Sequence, residues 1–217
     1  MVDLHNHTYF SYDGVQTPDE LADNACSLGI NVIGITDHQF TNGFDINKYA
    51  SAVRQTKDKF RLNCDVKIGL EIGTRPKPDN LLAKSVSKVL DYCLFECLDS
   101  ERGMDLYEFI EWRRLFSCPV GLAHTDIFAL GEHYGVDMLA LLKKEDIFWE
   151  INTSGNYSYY YDFITNADKR RAVSKSGITL SIGSDTHRLY EFNFNKLASA
   201  NMLAQSLGNR ILFGKGW

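Results

Sequence analysis

Short apolar runs alternate along this chain with longer stretches whose apolar residues recur at helical spacing. Apolar residues at 2 and 4 mark a first short strand, with His5 and His7 two apart in register at its end. Thr17-Pro18-Asp19-Glu20 has the form of a capping box with proline at the first helical position, and Gly29 is placed to close that helix. Asn31 to Thr36 predicts a buried strand, and Asp45 or Asn47 opens a helix running to about Phe60. The step then repeats as strand 66–70, a helix from Asp79 to about Leu90, strand 92–98, a helix from Asp105 to about Phe116, and strand 120–123. In the last third, Val136 to Lys144 predicts a helix and Ile147 to Ile151 a strand. Asn166 to Lys175 predicts a helix closed by Gly177, Thr179 to Gly183 a strand, and Phe194 to Leu207 the final helix, followed by Gly208.

Seven strand-helix units with short connections predict an α/β fold built on a parallel sheet. Seven units within a single domain of 217 residues, spanning 1–217, predict a distorted seven-stranded (β/α) TIM-like barrel, closed or nearly so. An open doubly wound sheet is the alternative. In a parallel barrel the active site lies at the C-terminal ends of the strands, so chemistry is expected directly after each apolar run. His5 and His7, Asp37 and His38, Glu71, His124, and Asp185 and His187 all stand there. Five of the six histidines fall in this set, and His133 alone does not. Imidazoles and carboxylates gathered in this way are the donors that zinc, manganese and iron accept.

Composition narrows the partners. A formal net charge of -5 with no clustered Lys and Arg argues against a nucleic-acid surface. No apolar run reaches membrane-spanning length and no secretory pattern precedes Val2, so a cytoplasmic protein without membrane contact is expected. A small anionic substrate stays compatible with the acidic chain, since bound cations reverse the local field. The five cysteines form no C-x-x-C pair and are expected to be reduced and mostly buried. Nothing in the composition fixes an oligomeric state.

The motifs D-L-H-N-H-T with Ser11 and Asp13, T-D-H at 36–38, G-L-E at 69–71, A-H-T at 123–125 and G-S-D-T-H at 183–187 closely resemble the successive motifs of the PHP superfamily, named for polymerase and histidinol phosphatase. The resemblance runs in order from residue 3 to residue 187. It implies a distorted seven-stranded barrel holding two or three divalent ions. A first ion would be held by His5, His7, Glu71 and Asp185; a second by Glu71, as a bridge, and His124; a third by Asp13, His38 and His187. The resemblance also implies a histidine at the end of the fourth strand, where this chain has Leu98. Leucine cannot ligate, and Glu96 or Asp99 takes its place only if that strand end shifts. The outward-facing Cys93 and Cys97 are expected to pack against helices.

An ion cluster sharing a carboxylate suits phosphoester hydrolysis by hydroxide generated near neutral pH. The implied activity is therefore that of a metal-dependent phosphatase acting on a small phosphorylated substrate: histidinol phosphate, a nucleotide, a sugar phosphate or phosphotyrosine. His187 or His38 is the candidate proton donor to the leaving oxygen, and Arg188 and Arg75 are candidate phosphate anchors. Two other readings compete: a non-catalytic metal-binding domain, motivated by Leu98, and a metal-dependent amidohydrolase. The segment 150–155 resembles the sixth-strand motif of histidinol-phosphatase-type members but lacks the arginine they commonly carry after it. Here Tyr157 and Tyr159 to Tyr161 follow, to line a substrate ring or to pack.

Overall fold

The computed structural model describes residues 1–78, 82, 83, 86 and 88–214. Its elements run β1 (Val2–Asp3), α1 (Pro18–Ser27), β2 (Val32–Ile35), α2 (Ile46–Phe60), β3 (Asp65–Ile68), β4 (Glu71–Gly73), β5 (Cys93–Glu96), α3 (Leu106–Arg113) and β6 (Val120–Leu122). They continue with α4 (Ile127–Tyr134), α5 (Met138–Lys144), β7 (Ile147–Asn152), α6 (Ser158–Thr165), α7 (Ala167–Ser176), β8 (Leu180–Gly183), a 3-10 turn (Leu189–Glu191) and α8 (Phe194–Leu207). The helix expected from Asp79 falls largely outside the described residues.

Local chemistry accounts for most boundaries. Glu20 N donates to Thr17 Oγ1 at 3.2 Å while Thr17 N donates to Glu20 Oε2 at 2.7 Å, which completes the expected capping box of α1. Of the two candidate starts for α2, Asp45 is the one used, its carboxylate accepting from Asn47 N and Lys48 N. Gly177 and Gly208 take left-handed backbone after α7 and α8, where glycine carries no Cβ penalty.

All strand pairs are parallel, as expected, and the strands are buried on both faces. The ladders form two open sheets, β1-β2-β3 and β4-β5-β6-β7-β8, rather than one closed seven-stranded barrel. The difference has a local cause. The expected third strand is interrupted at Gly69 and Leu70, and a Cβ at Gly69 would sit 2.4 Å from Thr36 Cγ2 and 2.5 Å from the Tyr92 ring. At this point the segment changes partner, so that β3 lies on β2 and β4 on β5. Cys93, in β5, is buried with its sulfur 3.6 Å from that of Cys118 in the loop before β6, whereas Cys97 is exposed and does not pack as expected. Among the described residues no helix is long and apolar enough to cross a membrane.

Candidate metal centre

The C-terminal ends of these strands deliver their polar residues to one place. Glu71, the first residue of β4, is buried and contacts four imidazoles. Its Oε1 lies 3.0 Å from His124 Nε2, and its Oε2 lies 3.2 Å from His5 Nε2, 3.4 Å from His7 Nε2 and 3.0 Å from His38 Nδ1. Asp185 Oδ1 closes the first group at 3.6 Å from His5 Nε2 and 3.4 Å from His7 Nε2. Asp13 Oδ2 gathers the other end of the cluster, 3.6 Å from His38 Nε2 and 3.3 Å from His187 Nε2. His124 and Asp185 hold left-handed backbone, with φ of 29° and 56°. Such conformations are uncommon for residues other than glycine, and both occur where a strand end turns its side chain inward.

Three of the rings have their second nitrogen occupied. His5 Nδ1 is 2.7 Å from Glu150 Oε1, His7 Nδ1 is 3.1 Å from Ser11 Oγ, and His187 Nδ1 is 3.1 Å from the Asp185 carbonyl. Acceptors at Nδ1 hold the proton there and turn the Nε2 lone pairs toward one another. The His5 and His7 Nε2 atoms then stand 3.1 Å apart, an arrangement that a proton or a cation between them resolves. Glu71 Oε2, His38 Nδ1 and Asp13 Oδ1 are buried without a hydrogen-bond partner, which a bound cation would also answer. The donor set therefore fits divalent metal.

Protonation reports the same compensation. Burial opposes charge on His5, but Glu71, Glu150 and Asp185 outweigh it and hold this imidazole well above its ordinary range. His38, likewise buried, is held at about 10 by Asp13 and Glu71. His124 and His187 are also raised, against burial, by Glu71 and by Asp13 respectively, while burial lowers His7. His5 and His38, the two raised furthest, are protonated at neutral pH in the metal-free protein and must release that proton on ligating. Metal uptake at pH 7 is accordingly expected to release about two protons per chain, with apparent affinity rising with pH by about tenfold per unit for each proton displaced. Calorimetric titration in buffers of different ionisation enthalpy reads this directly, and uptake without proton release would contradict it.

Asp37 belongs to the scaffold rather than to the donors. Its carboxylate accepts from Thr8 N and Thr8 Oγ1, each at 2.7 Å, and from Ser11 N at 3.0 Å and Ser11 Oγ at 2.7 Å. Ser11 Oγ in turn accepts from His38 N at 2.9 Å, so one buried carboxylate fixes the loop between His7 and Asp13. Asp37→Ala takes the acceptor from three buried donors, Thr8 N, Thr8 Oγ1 and Ser11 Oγ, and is expected to cost about 3–5 kcal/mol. Denaturant unfolding in chelator measures this cost apart from the metal, and a loss below about 1 kcal/mol would refute the anchoring role.

The structure brings together all eight expected ligands: His5, His7, Asp13, His38, Glu71, His124, Asp185 and His187. It does not aim the two arginines at them. Arg188 pairs with Glu191 at 3.3 Å, and Arg75 lies 3.9 Å from Glu101, both in exposed loops. Glu150 and Glu96 go beyond the expected set. Glu150 was visible in the sequence only as a strand residue; its place in a fully buried β7, where an unpaired carboxylate is costly, is the signal that it has partners. Of the tyrosines, Tyr159 and Tyr160 are buried packing, whereas Tyr157 stacks on His124 with centroids 4.4 Å apart and planes 6° from parallel. A cleft of about 560 Å³ opens beside it, lined by Glu96, Leu98, Asp99, His124, Asp126 and Tyr157 among others.

A parallel α/β scaffold whose strand ends converge on a shared buried carboxylate ringed by imidazoles defines a protein with the donor set of a metal-binding site. The sequence profile of the PHP domain matches residues 3–154, and the chain belongs to the PHP domain family. A protein of Deinococcus radiodurans named "Probable histidinol-phosphatase" is 23% identical, in an alignment covering 98% of this chain and 95% of that one. A protein of the same name from Thermotoga maritima is 25% identical over 91% of this chain and 95% of its own. Among solved structures, a histidinol phosphate phosphatase from Lactococcus lactis, complexed with zinc, L-histidinol and phosphate, superposes with a TM-score of 0.72 at 18% identity. That match covers 97% of this chain and 95% of the other and shows the shared fold.

Proposed function

We propose that this chain is a metal-dependent phosphoesterase that hydrolyses a small phosphomonoester, with histidinol phosphate as the leading substrate. The observation that carries the reading is Glu71, one buried carboxylate whose two oxygens face different imidazoles and so can bridge neighbouring ions. Two or three divalent ions, when bound, acidify water and offset charge on the phosphate and leaving oxygen. His5, His7, Glu71 and Asp185 would hold the first, Glu71 with His124 the second, and Asp13, His38 and His187 the third.

The protein's own groups do the rest. Where the third ion is not bound, His187, partly exposed at the rim, is favoured over His38 as proton donor to the departing alkoxide, because His38 is enclosed by Asp13, Glu71 and Glu96. Arg188 follows His187 directly and would meet a phosphate by exchanging its exposed pairing with Glu191. Asp99 and Asp126 in the cleft suit an alcohol that carries a positive charge, as an amino alcohol does. A closed seven-stranded barrel in one domain remains the finer reading of the fold. Leu4 N donating to the Ile182 carbonyl at 2.7 Å, Asp185 N to His5 O at 2.8 Å, and the bridge of His38 to Glu71 across the sheet break support it.

The test pairs elemental analysis of protein purified without chelator with phosphate release from a panel of phosphomonoesters, in wild type and His7→Ala. Ions bound with turnover in wild type, and turnover reduced by about 10³-fold in the variant, are expected. Unchanged turnover in a folded His7→Ala variant would sink the reading.

A further inference from the structure

The fourth-strand position at which a ligating histidine is expected holds Leu98, yet β5 ends two residues earlier and the chain then departs from it. Cys97 and Asp99 take left-handed backbone, with φ of 59° and 60°, and Leu98 packs against the apolar core. The last residue inside the strand is Glu96, paired in register with Gly73 of β4, while Leu94 is paired with Glu71. Alternation along β5 sets Cys93 and Phe95 toward the outer layer, where Phe95 meets Phe109, Trp112 and Phe116. Leu94 and Glu96 take the opposite face. The Glu96 carboxylate arrives 3.6 Å from His38 Nδ1 and 3.9 Å from His124 Nε2. One donor atom each from Glu96, Glu71 and His38 lies within 4.8 Å of the others.

We propose that Glu96 is the missing ligand of the second ion, giving a site of two carboxylates, Glu71 and Glu96, with His124, that is shifted toward hard cations of the Mn²⁺ class relative to the same site with an imidazole in place of Glu96. The inference rests on the metal-centre reading above but concerns this chain's own substitution of carboxylate for imidazole. Two carboxylates with room for water match the oxygen-rich shell that Mn²⁺ accepts, whereas each imidazole added would favour Zn²⁺. A further observation points to a cation. Glu71 Oε2 and His38 Nδ1, both buried and without a hydrogen-bond partner, border the same space as Glu96. In such a pair of like charges held together by the fold, the second carboxylate is tolerated because the ion neutralises both.

The experiment titrates chelator-stripped protein with Mn²⁺, and separately with Zn²⁺. Bound Mn²⁺ is followed by electron paramagnetic resonance and both metals by elemental analysis, in wild type, Glu96→Ala, Glu96→Gln and Glu96→His. Both Glu96→Ala and the near-isosteric Glu96→Gln are expected to lose one equivalent of Mn²⁺, an affinity loss of about 100-fold or more at that site, while keeping the others. Glu96→His is expected to recover the equivalent as Zn²⁺ and to shift the Zn²⁺ over Mn²⁺ preference by about tenfold or more. Thermal unfolding of the stripped proteins separates ligand loss from misfolding, because removing one of two neighbouring buried carboxylates should not lower metal-free stability. Glu96→Ala or Glu96→Gln protein that binds as many Mn²⁺ ions as wild type, with affinity within about twofold, overturns the proposal. Wild-type protein that takes up no ion overturns it together with the metal-centre reading. Full ion loading without hydrolysis of any phosphomonoester overturns the phosphoesterase reading alone.

Discussion

Glu71→Gln is expected to lower kcat/KM for phosphomonoester hydrolysis by about 10³-fold or more, because several kcal/mol of charge stabilisation depend on ions that this one carboxylate joins. The substitution keeps shape and removes charge, so the effect is electrostatic rather than a cavity. The buried side chain meets His5, His7, His38 and His124, and the glutamine amide nitrogen must point at one of those ring nitrogens, turning attraction into conflict. Stability in the absence of metal supplies a second readout with a defined sign. Burial resists ionisation of Glu71, but His5, His124 and His38 hold its pKa well below the ordinary carboxylate value. A depressed carboxylate contributes stability above its unfolded value, near 4.5, and loses that contribution as pH falls through its folded value. Metal-free Glu71→Gln is therefore expected to be less stable than wild type at neutral pH, with the gap narrowing at acid pH. Equal stability of the two proteins at pH 7, with ion number and turnover retained, would show that Glu71 does not bridge the cluster.

Most of the centre was legible because strand-end placement ties sequence position to spatial position. A residue that follows an apolar run in a parallel sheet has one end of the sheet to go to, and His5, His7, His38, Glu71, His124, Asp185 and His187 all go there. Asp13 lies in a loop and gained its assignment from the S-Y-D-G resemblance alone. What pattern could not supply was register at ragged ends. Counting from Asp91 and Tyr92 carries the strand to Leu98, but left-handed Cys97 ends the ladder two residues earlier, which makes Glu96 the last residue on the inward face.

The missed helices have separate explanations. For α4, Asp126 accepts from Phe128 N and Ala129 N, and Gly135 stands past the last turn, so its caps were readable although the His124 motif drew attention from them. For α6, the preceding Tyr157 makes no side-chain cap and three tyrosines in a row show no helical period. That helix exists through burial of Tyr159, Tyr160 and Phe163. The break between β3 and β4 is a change of pairing partner, from β2 to β5, which apolar pattern along one strand does not record.

Glu150 should be the costliest position outside the ring of donors. Its Oε1 accepts from His5 Nδ1 at 2.7 Å; its Oε2 accepts from His124 N at 2.7 Å and from Asn152 Nδ2 at 3.2 Å. One carboxylate in the middle of β7 thus orients the His5 ring and fixes the strained turn that carries His124. Glu150→Ala is expected to cost about 3–5 kcal/mol in chelator, since it strands buried donors and opens a cavity. Glu150→Gln separates orientation from packing. Its single amide oxygen can serve His5 or His124 N but not both, so metal affinity should fall by about 10–100-fold while the fold persists. There is no room for the side chain to swing away, because a Cβ on Gly183 would lie 2.2 Å from Glu150 Oε1 and 2.4 Å from His5 Cβ. Nitrogen NMR of His5 gives the deciding signature: wild-type metal-loaded protein should carry the proton on Nδ1, and Glu150→Gln should lose that fixed tautomer. A variant that binds metal as wild type does, with the His5 tautomer unchanged, would mean that Glu150 serves the strand alone and that the orientation of His5 is set by β1 and Gly183.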